Sequence, residues 1–431
     1  MSLFSALNAA VSALRAQGAR IAAVSENIAN TSTTAYKTRD MNFRSLVTST
    51  GSGAPSGGVL FDTFQNLRAQ GLVESTGRAT NVALNGNGYF VVADNPSATS
   101  SGVAYSRNGS FTTDKDGFLI NSEGYYLMGQ PTDAQGNLLT ANANDLSSLS
   151  PVNTQSVSGS AQATTEVEFD ANIPADAAPA ASYETSFEIY DNLGVSHTIG
   201  MTWTKTANPN EWTLNLGDPA LTNTPGTTSG SIANNSFTIQ FNGDGSLNSI
   251  VPATNDLIEV DFTGPGVSGS SNVTFNLNLG TPGATDGVTQ FSSNSTDPQI
   301  AISLVDQNGV RFGRLSEVLV DDSGLVSALF DNGLRQAIYQ IPVATFANPN
   351  GLEHLEGTVY AGNQAVAGNF VLNRPGSGNA GTITASALEL SSTDSSEEFN
   401  KMIVAQQGYS SAAQVISTAD EMFDNLIRAV Q

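Results

Sequence analysis

Cysteine is missing from the 431-residue chain, and histidine occurs only twice. The first absence excludes disulfides, thiolate zinc sites, iron–sulfur clusters and cysteine nucleophiles. The second removes most histidine-based catalysis and metal ligation. Cations are scarce too: 16 Lys and Arg stand against 39 Asp and Glu, a formal net charge of −23. Such a field repels phosphate backbones and anionic membrane surfaces, so no nucleic acid partner is expected. Charged residues make up only 13%, about half the usual share, which leaves a polar surface of Ser, Thr, Asn and Gly. No run reaches the ~18 apolar residues of a transmembrane helix, so no membrane insertion is expected. The opening MSLFSALNAAVSALRAQ has no basic region ahead of its apolar stretch, unlike a cleaved secretory signal.

What is present falls into two kinds. At ~100–200 residues per domain the length suits two to four domains, and 39% hydrophobic residues with 20 Phe and 10 Tyr can fill their cores. Both ends read as helix. Between Ser2 and Asn30 there is no Pro and much Ala, and Phe4, Leu7, Val11, Leu14, Ile21 and Ile28 step by threes and fours, a heptad seam. Phe399, Met402, Tyr409, Ile416, Phe423 and Ile427 keep the same step near the other end. There Ile403, Val404, Val415, Met422 and Leu426 widen the stripe enough for more than one partner. Thr393 to Ser396, followed by Glu397 and Glu398, offer capping oxygens and first-turn acids. The sharper reading is that the two helices pair antiparallel with each other and with neighbouring copies. The plainer one is two amphipathic helices on a globular core.

From about Gly71 to Gly381 short alternating runs are bounded by Gly, Asn, Asp and Pro, the pattern of a β-rich body. Val195, His197, Ile199, Met201 and Trp203 alternate, as do Phe237, Ile239 and Phe241, and Val273, Phe275, Leu277 and Leu279. Residues 146–290 hold 14 acids and one base, Lys205, a shift that marks an inserted domain. Thr48 to Gly58 (TSTGSGAPSGG) has the composition of a flexible linker.

Signals of chemistry are weak. Thr112 to Glu123 places Asp114, Asp116, Gly117 and Glu123 as in a calcium loop, but its flanks read as strands, so a hairpin turn explains the same letters. Asn85-Gly86-Asn87-Gly88 leads into a strand and not a helix, which excludes a dinucleotide fingerprint and reads as a hairpin turn. His197 sits in phase with apolar neighbours, and His354 has no second histidine beside it. Glu166 and Glu168 read as a solvated strand face. The expectation is therefore no enzyme: no catalytic residue, no metal and no cofactor.

Ser25 to Phe43, SENIANTSTTAYKTRDMNF, resembles the signature of the axial proteins of the bacterial flagellum, carried here by Asn27, Ile28, Ala29, Asn30, Thr34, Tyr36 and Lys37. Ala83–Val92, Tyr105–Gly129, Ser386–Asp394 and Met402–Ile427 are similar to the rod–hook blocks. Phe187–Leu214 with Phe346–Leu352 resembles the hook-protein family most closely. Glu26 stands where the signature has Asn, Ala35 where it has Gly, and Thr393 and Ser395 replace apolar residues.

The resemblance implies a mainly β chain with terminal α-helices. Residues 1–30 and 395–431 would form an inner antiparallel coiled-coil pair, joined by connecting segments 31–70 and 369–394. A discontinuous middle β domain would comprise 71–145 and 291–368, with an acidic outer β domain, barrel or sandwich, inserted at 146–290. It also implies a homo-oligomeric helical polymer, the flexible hollow tube that carries torque from rod to filament. Implied partners are the distal rod, the hook cap, the hook–filament junction proteins and the flagellar type III export apparatus. The place implied is the extracellular hook, reached without a cleaved signal peptide. A distal-rod protein and, less close, a calcium-stabilised surface adhesin are the alternatives.

Overall fold

Two helices and a hairpin form the terminal part of the chain. The N-terminal helix, Leu3–Ala29, ends where the Asn30 side-chain amide donates to the Glu26 carbonyl at 2.9 Å. The C-terminal helix, Ser395–Val430, begins at Asp394, whose Oδ1 accepts from the backbone N–H of Ser396 at 2.8 Å and of Glu397 at 3.2 Å. This is the cap that the Thr393–Ser396 run announced, followed by its first-turn acids. Between the helices and the β body, strands Arg39–Val47 and Gly57–Gln65 pair antiparallel from Arg39↔Gln65 to Val47↔Gly57. This computed structural model describes residues 3–47, 57–97, 102–139, 142, 144–157, 159–252, 258–264, 267 and 269–430. Most of the linker expected at Thr48–Gly58 lies outside the described residues, while Gly57 and Gly58 open the second hairpin strand.

The chain divides into two compact units: residues 1–156, 318–328 and 336–431 form the first, and residues 157–317 with 329–335 form the second. In the first, strand Tyr89–Ala93 is buried at every residue. It pairs with Val103–Ser106, Tyr126–Pro131 and Val343–Phe346, so early and late parts of the sequence share one sheet. Tyr89, Val91, Tyr105, Met128, Ala344 and Tyr360 build its core, with Tyr105 edge-on to Phe346 at 4.8 Å. Asn85–Gly88 is a turn, but not the hairpin expected: Val82–Asn85 pairs with Thr382–Ala385 instead. Gly88 is required there, because at φ +128 a Cβ would sit 2.1 Å from Val343 Cγ1.

The second unit packs two sheets on one apolar core. One runs Ser182–Tyr190, Ser196–Lys205, Glu211–Leu216, Ser236–Phe241, Leu247–Val251, and the other Ser231–Ile232, Ile258–Asp261, Val273–Asn278, Glu166–Asn172, Ala301–Gln307. The predicted alternation is visible residue by residue: His197, Ile199, Met201 and Trp203 are buried while their neighbours are not. Phe169 stacks on Trp203 at 6.0 Å and Phe187 meets Phe275 at 5.8 Å, joining the sheets. Both sheets keep open edges, so the barrel alternative is corrected: among the described residues no closed barrel forms. Residues 291–317, assigned from the sequence to the middle domain, lie in this second unit, because Ala301–Gln307 pairs with Glu166–Asn172.

Candidate self-assembly surface

The terminal helices pack against one another, and two contacts fix their direction. Asn27 Nδ2 donates to Glu398 Oε2 at 2.9 Å, and a Cβ on Gly408 would meet Gln17 Cδ at 3.1 Å. Ten residues back on one helix answer to ten forward on the other, so they run antiparallel. Among the described residues of the two helices the buried apolar positions are alanines, Val24 apart. Ala405, Ala412 and Ala419, with Glu398 before them, recur every seven residues, and Ala16 and Ala23 do the same on the partner helix. Alanines at such spacing let backbones approach closely, and their methyls cost little side-chain entropy on packing.

The larger apolar residues singled out from the sequence lie elsewhere. Leu7, Leu14, Ile21 and Ile28 are half-buried, as are Met402, Ile416 and Phe423. Val11, Phe399, Tyr409 and Ile427 are exposed by 37, 53, 45 and 57%, and the Phe4 side chain lies outside the described residues. Ile403, Val404 and Met422 are exposed beside them. The intramolecular seam is thus the alanine row, offset from the bulky row that the periodicity picked out. A helix carrying this many uncovered large side chains has an unsatisfied face, and each would contribute about 1.5–3 kcal/mol on full burial.

The signature residues form a polar junction under the helix pair. Asn27, buried, uses its whole hydrogen-bonding capacity: its amide donates to Arg39 O and Glu398, and its Oδ1 accepts from Tyr36 Oη at 3.1 Å and Arg39 N at 2.9 Å. Asn30 caps the helix and its Oδ1 accepts from Thr33 Oγ1 at 3.0 Å. Ala35, where the signature has Gly, is buried at φ +58. Burial, then the nearby Glu26 carboxylate, pushes the Tyr36 phenol up to about 12. Thr34 is half-buried and Ala29 exposed.

Lys37 ends the signature with its side chain fully buried, paired with Glu389 and donating to Ala69 O at 2.6 Å. Arg107 joins Glu389 from the β body at 3.3 Å. Burial pushes Lys37 below the ordinary lysine range against the opposing pull of Glu389. Glu398 is legible as a first-turn acid but not as the partner of Asn27, and Glu389 and Arg107 carry no signal at all, since a lone charged residue in or beside a short strand has no periodicity. The alanine row does leave a signal, the seven-residue spacing of Ala405, Ala412 and Ala419.

Positions considered for chemistry resolve into structure. Thr112–Thr113 pairs with Leu119–Ile120, and Asp114 Oδ1 accepts from Asp116 N and Phe118 N, so the loop is the expected hairpin turn. Glu123 turns away to Asn108 and Thr358. Glu166 and Glu168 lie on the outward side of their strand. No cluster of three metal-ligating side chains occurs among the described residues, and none of the described helices is long and apolar enough to cross a membrane.

A mainly β chain, with its two ends gathered into an antiparallel pair and apolar residues left uncovered, is the build of an axial assembly subunit. Comparison with known proteins agrees part by part. Residues 7–37 match the flagella basal body rod protein family, and residues 83–182 the flagellar hook protein FlgE/F/G D1 domain. Residues 158–310 match the flagellar basal body protein FlaE D2 domain, and residues 384–429 the flagellar basal body rod FlgEFG protein C-terminal family. The flagellar hook protein FlgE of Brucella suis is 33% identical, with 99% of each chain covered. That of Caulobacter vibrioides is 27% identical, with 99% of each covered, and that of Escherichia coli 29%, with 98% of this chain and 99% of the relative covered. The chain belongs to the flagellar hook protein family.

Proposed function

We propose that this chain is the structural subunit of a bacterial flagellar hook, polymerising into a flexible hollow helical tube that carries motor torque from rod to filament. The observation that carries the assembly reading is the division of the terminal helices into an alanine seam, used within the chain, and a bulky apolar face, left exposed. In this reading the helix pair is completed as a coiled coil with neighbouring copies, through Val11, Phe399, Tyr409 and Ile427 and with Leu7, Leu14, Ile21, Met402, Ile416 and Phe423 at the margins. A heterologous contact that does not close into a ring gives an open helical polymer. Its end partners would be the distal rod, the cap and the junction proteins, and the chain would reach the extracellular hook through the flagellar type III export apparatus.

A distal-rod role fits the terminal halves equally well, but leaves the second unit, with its match to the D2 domain family, without a purpose. Electron microscopy of the purified chain under precipitating salt tests the proposal. Hollow tubes are the expected outcome; flat sheets or amorphous material would count against it. Because each helix lacks its neighbours before assembly, both should be protease-sensitive in solution and resistant in the tube.

A further inference from the structure

Glu389 is a carboxylate that three distant stretches of chain need at once. It ends strand Ala387–Glu389, which pairs with Val73–Ser75, and its side chain is fully buried. Oε1 accepts from Lys37 Nζ and from the backbone N–H of Gly71 at 2.8 Å, and Oε2 accepts from Arg107. Each donor is anchored separately. Lys37 also donates to Ala69 O, while Arg107 donates to Gly86 O at 2.6 Å and lies 5.3 Å over the Tyr89 ring. Lys37 and Arg107 are both buried. Taking the carboxylate away leaves two cations facing each other out of water, a heavy penalty. The β body, meanwhile, closes its own apolar core through Tyr89, Val91, Met128 and Ala344 with no help from Glu389.

We propose that Glu389 is a coupling latch: its carboxylate docks residues 35–39, 69–76 and 384–390 onto the β body as one step, so that the two terminal helices leave that body in a single orientation. Neither terminal segment completes the site alone. Lys37 arriving without Glu389 would bring a second buried cation to Arg107, and Glu389 arriving without Lys37 would leave Ala69 O without its donor. The use of the latch, presenting the helix pair to a neighbour, rests on the assembly reading above; the existence of the latch does not.

Hydrogen–deuterium exchange on the full chain, soluble and after tube assembly, tests this with Glu389→Gln and with the double variant Lys37→Met/Glu389→Gln. In whichever state the parent protects 384–390, Glu389→Gln should raise exchange in 35–39, 69–76 and 384–390 together. Strands Tyr89–Ala93 and Val343–Phe346 should keep their protection, and the double variant, relieved of one uncompensated cation, should recover most of what was lost. Tube formation by Glu389→Gln should need about tenfold more protein, or fail. Opening of 384–390 alone, loss of the β-body protection with it, unchanged exchange, or a parent that never protects these segments would each overturn the latch. A parent chain that forms no tubes sinks the assembly reading, while exchange in the soluble chain still decides the latch.

Discussion

Ala35 shows how one side chain can sit on opposed terms of similar size. Its φ of +58 is a region where a Cβ costs about 1–2 kcal/mol. Glycine would remove that strain, but loses about 0.8 kcal/mol of buried methyl and a further 0.4–1 kcal/mol through the freer unfolded chain. Ala35→Gly should therefore stay within about 1 kcal/mol of the parent, whereas Ala35→Val adds β-branching at positive φ and overpacking, and should cost about 2–4 kcal/mol. Urea unfolding followed by circular dichroism would read both; a large gain for glycine would show the methyl to be idle.

His197 is buried between Ser229, 2.8 Å from its Nδ1, and Asp191, 3.5 Å from its Nε2, with Phe262 against the ring at 4.3 Å. Burial lowers its pKa from 6.5, against the pull of Asp191. The unfolded chain then binds a proton that the folded one refuses, so this group costs stability as pH falls through about 6.5 and is silent above it. One proton limits the slope to about 1.4 kcal/mol per pH unit. His197→Gln should flatten the fall in midpoint between pH 7 and 5.5; an unaltered slope would assign the acid sensitivity to other groups. The packing of His197 is legible from alternation, but its partner Ser229 is not, because no local pattern links residues that distant turns bring together.

Elements were legible in proportion to how local their causes are. The cap at Asp394 and the turn at Asp114–Gly117 are written in adjacent letters, and each forms as read. Helix existence is clear too, but the packed face is not, since bulky periodicity marks one direction while alanine, favoured anywhere in a helix, marks none. That offset yields a paired prediction. Ala412→Leu puts three extra carbons into the seam and should destabilise the helix pair by about 1–3 kcal/mol. Tyr409→Glu, on the exposed face, should shift the stability of the lone chain by no more than about 0.5 kcal/mol yet suppress tube formation. Sedimentation of assembled material beside a proteolysis time course separates them. Should Tyr409→Glu assemble as well as the parent, the exposed face is not the interface.

At the scale of the whole molecule, the charge map argues for a division of labour. The helix Leu3–Ala29 carries only Arg15, Arg20 and Glu26, so covering it desolvates little charge. Residues 146–290 hold 14 acids against one base, and of the acids described there only Asp191 is buried. What the sequence misjudged was the far edge of the inserted block. Charge alone draws it at 290, whereas strand Ala301–Gln307 completes the second sheet, and pairs such as Val167↔Gln307, far apart in sequence, leave no mark in composition. Replacing residues 157–317 by a short linker should spare assembly, since the helix pair, the latch and the β body all lie in the other unit. It should alter how the tube bends, because neighbouring acidic surfaces, screened beyond ~8–10 Å at physiological salt, bias sliding contacts without locking them. Curvature distributions from cryo-electron micrographs of parent and shortened tubes would decide: straighter, stiffer tubes are expected. Tubes of unchanged curvature would place the bending in the helices and the β body instead, and loss of assembly would mean that the acidic unit also holds copies together.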